Sequence, residues 1–80
     1  MDFVIRGAIE SRRVLAAGAS VRARYRLNER FGVGRWRKMA GEATIEYDDG
    51  TVERAEIHWF EAHGIGRVLF KRKRNAEQAP

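Results

Sequence analysis

Cysteine is absent from the 80-residue chain, which excludes a disulfide framework and any metal site built on thiolates. The sequence also lacks an apolar stretch of about 18 residues, the usual minimum for a membrane-spanning helix. No basic segment followed by an apolar run and a small-residue cleavage site is present, so no secretion signal is predicted. We therefore expect a cytoplasmic protein that does not enter a membrane.

Because the chain is short, it can form only a small hydrophobic core. A domain of this size buries roughly 60–65% of the surface that its unfolded form exposes, so most large apolar side chains are needed for stability. Most of the eight aromatic residues, 10% of the sequence, are therefore expected to be structural. We predict one compact domain over residues 1–74 and a frayed tail over 75–80, which has nothing to bury.

Charge is distributed unevenly along the chain. Residues 1–41 carry a net charge of +7, residues 42–64 carry −6 and residues 65–80 carry +4, which sum to the overall +5. If the acidic middle folds against the basic flanks, most of this charge is compensated internally. If it does not, a basic face is available to a polyanion such as RNA.

Alternating apolar and polar residues on both sides of Asp48-Asp49-Gly50 predict a β-hairpin. A two-residue loop would mix apolar and polar residues on each face. A three-residue loop, with Gly50 in the left-handed conformation, separates an apolar face from a polar face. The apolar face then pairs Ala43 with Ala55, Gly41 with Ile57 and Met39 with Trp59. The polar face pairs Glu46 with Val52, Thr44 with Arg54, Glu42 with Glu56, Ala40 with His58 and Lys38 with Phe60.

A third strand is predicted over 67–73, where Val68 and Phe70 alternate with basic residues after a glycine-containing turn. In the first half, residues 2–6 and 13–17 are predicted strands that end at Gly7 and Gly18. Residues 20–31 fit both a strand and a helix, and Ser20 as N-cap with Gly32 at the end favours the helix.

These elements predict an α+β fold, with one or two N-terminal strands and one helix packed on an antiparallel meander of three to four strands. The alternative is a small all-β barrel of the SH3-like type. Whether residues 20–31 form a helix or a strand, Arg22 and Arg26 share a face, which Arg30 joins in a helix and Arg24 joins in a strand.

Cations surround an aromatic ring just before the first hairpin strand, and the alternation places Trp36 and Lys38 on the polar face with Phe60. Aromatic rings among cations on an open face are typical of single-stranded nucleic acid binders, because rings stack on bases and cations contact phosphates. The predicted surface consists of Arg35, Trp36, Arg37, Lys38, Phe60, Arg67, Lys71 and Lys73. In the alternative interpretation, Trp36 and Phe60 form a second apolar cluster covered by the N-terminal segment.

The segment 58–63 also contains candidates for acid and base catalysis. His58, Glu61 and His63 could transfer protons in RNA cleavage, and Arg67 could stabilise the charge of the phosphorane. These side chains converge only if the second strand of the hairpin bends or bulges at Phe60 or Glu61, because His58 and Glu61 lie on opposite faces of a regular strand.

Metal and cofactor sites are not predicted. The two histidines do not have the spacing of the HExxH helix. The lone Gly-x-Gly at residues 64–66 is explained by a turn, and no nucleotide-binding motif accompanies it. We therefore expect neither a metal nor a cofactor.

Several short motifs occur together between residues 35 and 74: Trp36-Arg37-Lys38, the Asp49-Gly50 turn, Ala55-Glu56-Ile57-His58-Trp59, Glu61-Ala62-His63-Gly64-Ile65-Gly66 and Phe70-Lys71-Arg72-Lys73. This block resembles one found in short bacterial proteins without an assigned activity, so the resemblance implies no functional residues. The predicted layout of helix and sheet is also similar to toxin ribonucleases of the RelE type, but in architecture alone.

The sequence favours a small RNA-binding domain. A metal-independent endoribonuclease of the toxin type is the first alternative. A protein-interaction module, with the acidic hairpin 42–56 facing a basic partner, is the second. The sequence does not specify an oligomeric state.

Overall fold

Four antiparallel strands in chain order form a single sheet. The computed structural model describes residues 2–78. The elements are β1 (Phe3–Ala17), a 3-10 turn (Gly18–Ser20), α1 (Arg24–Phe31), β2 (Arg37–Tyr47), β3 (Val52–Ala62), β4 (Gly66–Asn75) and a second 3-10 turn (Ala76–Gln78). The predicted α+β class is confirmed. β1 and β4 are the two edges of the sheet, so it is not closed into an SH3-like barrel.

The β2–β3 hairpin has the predicted loop and register. Gly50 has a φ of 87°, and its N–H donates to the carbonyl of Tyr47 at 2.9 Å. Tyr47 in turn donates its N–H to the carbonyl of Thr51 at 2.9 Å, which leaves three residues in the loop. All predicted pairs of the apolar and polar faces are present.

β1 is one long strand, which corrects the prediction of two strands ending at Gly7 and Gly18. Its 15 residues run beside the 11 residues of β2, with three register shifts. Gly7 and Ser11 adopt φ values of 75° and 53° within the strand. Bulges absorb the extra residues and bend the strand. Gly7 therefore lies inside β1 and does not end it.

β4 contains a bulge at Leu69 that the alternation in the sequence did not reveal. Phe60 pairs with Val68 and His58 pairs with Lys71, so β4 has one residue more than β3 between these pairs. Leu69 has a φ of 58°, and the bulge reverses the faces of the residues that follow it. The expectation that Val68 and Phe70 share a face is therefore wrong.

The apolar face is covered by the curled sheet itself. The hairpin core consists of the buried residues Met39, Ala43, Ile45, Ala55, Ile57 and Trp59. Phe3, Ile5 and Ile9 of β1 cover it from one edge, and Phe70 of β4 covers it from the other, with its ring 5.6 Å from that of Trp59. Trp59 and Ile57 are core residues as predicted.

α1 packs on the polar face. The helix core consists of Val21, Leu27, Trp36 and Ala62, with Phe60 and Phe31 partly buried against it. Of the two interpretations considered for Trp36 and Phe60, the covered second cluster is observed for Trp36, whereas Phe60 packs against that cluster but is only half-buried. No helix in residues 2–78 is long and apolar enough to cross a membrane.

Of the two predicted ends of α1, the C-terminal one is confirmed and the N-terminal one is wrong. The helix begins at Arg24 with Ala23 as its N-cap, and Ser20 lies in the preceding 3-10 turn, so the predicted cap is wrong. At the other end Gly32 has a φ of 115° and donates its N–H to the carbonyl of Asn28, as expected for a helix stop.

The C-terminal segment continues beyond residue 74. Asn75 is the last residue of β4, and Ala76–Gln78 form the 3-10 turn. The N–H of Glu77 donates to the Asn75 side chain at 2.9 Å. Residues 79 and 80 of the tail that was expected to fray lie outside the described residues.

Gly41 is required where β1 crosses close to the hairpin. A Cβ atom at this position would lie 2.6 Å from Cγ2 of Ile9 and 3.2 Å from Cη2 of Trp59. We expect Gly41→Ala to lower the free energy of unfolding by about 1–3 kcal/mol, through overpacking. Urea denaturation followed by Trp fluorescence measures this loss.

Gly50→Ala is the matched control for this prediction. A Cβ at Gly50 meets nothing within 4 Å, so only the positive φ opposes the substitution, at a cost of about 1 kcal/mol. A Gly41→Ala protein more stable than Gly50→Ala would contradict the close packing of β1 on Gly41.

Candidate nucleic-acid interface

Ion pairs between different strands of the sheet decide how the charge is distributed. The pairs are Arg6 with Glu46, Arg13 and Arg74 with Glu56, Arg37 and Arg67 with Glu61, Arg54 with Glu10, and Arg72 with Glu53. Seven arginines are therefore compensated inside the fold. Internal compensation and a free basic face, considered as alternatives from the sequence, both occur in different parts of the molecule.

Most of the remaining cations lie together. Six basic side chains that form no ion pair within residues 2–78 line a depression between α1 and the polar face, which we name the basic groove. They are Arg22, Arg26, Arg30, Lys38, Lys71 and Lys73. No Asp or Glu of the described chain lines it, so its positive charge is not locally compensated.

Phe60 lies at the centre of the basic groove. Its half-buried ring lines three adjoining cavities of about 450, 200 and 170 Å³. Arg22 and Arg26 line the largest, and Arg26 and Arg30 line the smallest. Lys38, Lys71 and Lys73 line the intermediate one, which we name the lysine cavity.

The fold explains how these side chains come together. Lys38 is paired with Phe60 across β2 and β3, and Lys71 is paired with His58 across β3 and β4. Leu69 and Lys73 are the additional residues at the two register shifts of β4, and bulges often turn a side chain towards a binding site in this way. Arg26 and Arg30 are one helical turn apart in α1, with Arg22 just before it.

His58 lies at the edge of the lysine cavity and is held by Glu56. Its Nε2 is 2.8 Å from the Glu56 carboxylate. That hydrogen bond, followed by the one from Arg13, lowers the pKa of Glu56 below its ordinary value. Since Arg13 belongs to β1 and Arg74 to β4, Glu56 of β3 links three strands of the sheet.

Half of the residues predicted for nucleic-acid binding meet in the groove: Lys38, Phe60, Lys71 and Lys73. Trp36 does not belong to an open face, because it is 1% exposed and its Nε1–H donates to Asn28 at 2.9 Å. Arg37 and Arg67 are paired with Glu61. Arg35 lines a separate depression.

Sequence reasoning did not include Arg22, Arg26 and Arg30 among the site residues. Their four-residue spacing was visible and did indicate a common face. What the sequence lacked was the position of that face, since only the packing of α1 on the polar face brings it beside Phe60.

The four candidate catalytic residues are not brought together. β3 pairs regularly with β2 through Phe60 and Glu61, so the bend that they require is absent from this strand. His58 lies at the lysine cavity, whereas Glu61 accepts a hydrogen bond from Trp59 Nε1 at 2.7 Å on the other face. His63 is exposed in the β3–β4 turn, and Arg67 is paired with Glu61.

Neither metal ligands nor similar proteins identify this site. Within residues 2–78, no three His, Asp or Glu side chains are grouped as a metal ion requires. Comparison of the chain with protein-family models, curated proteins and solved structures found no match. Function is therefore inferred from the chemistry of the basic groove.

The ion pairs of β3 predict how stability depends on pH. Hydrogen bonds from Arg72 and His58 lower the pKa values of Glu53 and Glu56 respectively. A carboxyl group with a lowered folded pKa stabilises the fold above its unfolded pKa, about 4.3 for Glu, and this contribution is lost as the pH falls through the folded pKa. We expect the melting temperature to fall below about pH 4.3.

Glu56→Gln tests this assignment, because the variant has no carboxyl to protonate and its melting temperature should fall less between pH 5 and pH 2 than that of wild type. Glu29→Gln is the control, since Glu29 is exposed on α1 and forms no ion pair within residues 2–78. Parallel curves for wild type and Glu56→Gln would show that Glu56 contributes nothing to acid stability.

Proposed function

We propose that this protein binds single-stranded nucleic acid in the basic groove, with RNA as the first partner to test. The observation that carries the proposal is the set of six cations without an acidic neighbour around the half-buried ring of Phe60. Cations contact phosphates, and an aromatic ring stacks on an unpaired base.

The shape of the groove favours a single strand over a duplex. Phe60 lies between α1 and the sheet, and only a base that has left its helical stack reaches a ring in such a position. Leu69, which is 45% exposed, lines two of the three cavities beside Phe60 and adds an apolar flank for that base.

The conformation of Leu69 also supports a binding role. A non-glycine residue with positive φ is strained by about 1–3 kcal/mol, and such residues concentrate at ligand sites. Leu69 has a φ of 58° next to Phe60. The strained bulge gives the groove its apolar flank and shifts Lys71 onto the groove side of the sheet.

The distribution of ion pairs favours a polyanion over a basic protein partner. In the acidic hairpin, Glu46, Glu53 and Glu56 are already paired with arginines of the flanking strands. Six of the nine cations that form no ion pair within residues 2–78 lie together in a concave site, where the field of like charges is focused. The unpaired cations outnumber the six carboxylates that are unpaired in the same residues.

Salt dependence tests the electrostatic part of the proposal. For single-stranded RNA, log affinity should fall linearly with log salt, with a slope of about −0.7 for each phosphate contacted. Lys71→Gln and Arg26→Gln should each make the slope shallower by about 0.7. Fluorescence titration of an internally labelled strand at three salt concentrations measures it.

Arg12→Gln provides the control for charge alone. Arg12 is exposed on β1 and does not line the groove, so its removal should leave the slope unchanged. Absence of binding at low salt would refute the proposal. A change in slope as large for Arg12→Gln as for Lys71→Gln would place the contact elsewhere.

Phe60→Leu tests the stacking part separately. Leucine keeps an apolar side chain against the helix core but cannot stack on a base, so affinity should fall by about 1–3 kcal/mol while the salt slope stays the same. Phe70→Leu is the control, because Phe70 is partly buried in the hairpin core and does not line the groove. Equal affinity of Phe60→Leu and wild type would exclude stacking on Phe60.

A further inference from the structure

We infer that the lysine cavity binds a phosphate monoester at one end of the nucleic acid strand. This inference rests on the proposed function and adds to it a preference for phosphorylated termini. The observation behind it is that the three lysines of the chain, Lys38, Lys71 and Lys73, line one cavity of about 200 Å³.

The lysines and arginines have separate positions in this fold. Seven of the thirteen arginines pair with glutamates, whereas no lysine forms an ion pair anywhere in residues 2–78. Lys38 comes from β2, and Lys71 and Lys73 come from β4 on the other side of β3. Two different strands therefore direct their only lysines to the same place.

Charge matching favours a terminal phosphate in this cavity. An internal phosphodiester has a single negative charge. A terminal monoester carries about −1.5 to −2 at pH 7 and offers three strong acceptor oxygens. Three ammonium groups around a small cavity match that charge and that number of acceptors, since each ammonium is a compact donor.

The carboxylate hydrogen-bonded to His58, that of Glu56, is already paired with groups other than these lysines. Glu56 is occupied by His58 Nε2 at 2.8 Å, by Arg13 at 3.2 Å and by Arg74 at 3.6 Å. Its side chain is 13% exposed. Glu56 does not line the lysine cavity and no lysine is among its partners, so the ammonium groups stay available to a ligand.

His58 supplies a second observation at the same place. Its Nδ1 is the one buried side-chain nitrogen or oxygen without a hydrogen-bond partner in the described part of the chain. Unpaired buried polar atoms are uncommon and call for an explanation such as a ligand or bound water.

The arrangement places the phosphorylated end of the bound strand at the lysine cavity and the following nucleotides along the groove. With its terminal phosphate in the lysine cavity, the first base would stack on Phe60, and the next phosphates would reach Arg22 and Arg26 in the cavity of about 450 Å³ that shares Lys38 and Phe60. A 5′-phosphate and a 3′-phosphate present the same chemistry to the lysines.

The experiment compares three internally labelled RNA strands of the same sequence. Each is about eight nucleotides long, a length within the usual range of single-strand site sizes. One carries a 5′-phosphate, one a 3′-phosphate, and one has hydroxyl groups at both ends. At a fixed salt concentration and pH 7.5, at least one phosphorylated strand should bind about tenfold more tightly than the hydroxyl strand. The strand that does so identifies the end recognised, and a gain for both supports a monoester site without end selection.

Substitutions in the lysine cavity test whether its lysines cause the preference for a phosphorylated end. Lys71→Gln and Lys73→Gln should abolish the tenfold difference, whereas Arg26→Gln should weaken all three strands by a similar factor and keep the difference. Circular dichroism melting confirms that each variant is folded. These lysines are exposed, so the substitutions leave both cores intact.

Each failure has a distinct meaning. Equal affinity for all three strands would overturn the terminal-phosphate site and leave the proposed function standing. No binding of any strand would overturn both. A preference that persists in the Lys71→Gln/Lys73→Gln double variant would show that another part of the protein recognises the phosphate.

Discussion

The register of β2 against β3 is the constraint on which the rest of the molecule depends. It places Ala43, Ile57 and Trp59 on one face of the sheet and Lys38 and Phe60 on the other. A shift of one residue would exchange the faces. The hairpin core would then lose its buried side chains, and Phe60 would no longer lie on the face against which α1 packs. Both cores and the basic groove therefore follow from one three-residue loop.

The two faces are covered in different ways because the chain is short. The bulged β1 and β4 curl over the apolar face, so the sheet supplies its own cover there. One eight-residue helix covers only one end of the polar face. The uncovered part between helix and sheet is the basic groove. A small protein thus gains a concave surface because it lacks a second covering layer.

Paired and unpaired cations lie in different parts of the surface. Glutamates of β2 and β3 pair with arginines of β1 and β4, which lowers the repulsion among sixteen basic residues. Exposed pairs of this kind contribute little stability each, but they determine which cations remain free. Most of the free ones lie around Phe60, in a groove that no carboxylate of residues 2–78 lines. Because many arginines elsewhere are paired with glutamates, the positive potential of the surface is concentrated at the basic groove.

Local patterns alone determined the α+β class, the hairpin loop with Gly50, the burial of Trp59 and the end of α1 at Gly32, because each depends on neighbours in the chain. The faces of Val68 and Phe70, the continuity of β1 and the start of α1 were decided by tertiary structure. The bulges at Leu69 and in β1 depend on how strands that are distant in the sequence pair with each other. They cannot be recognised in the alternation of apolar and polar residues. The same holds for the basic groove. Arginines at 22, 26 and 30 and lysines at 38, 71 and 73 are visible as separate groups in the sequence, but only the packing of α1 on the polar face places them around one phenylalanine.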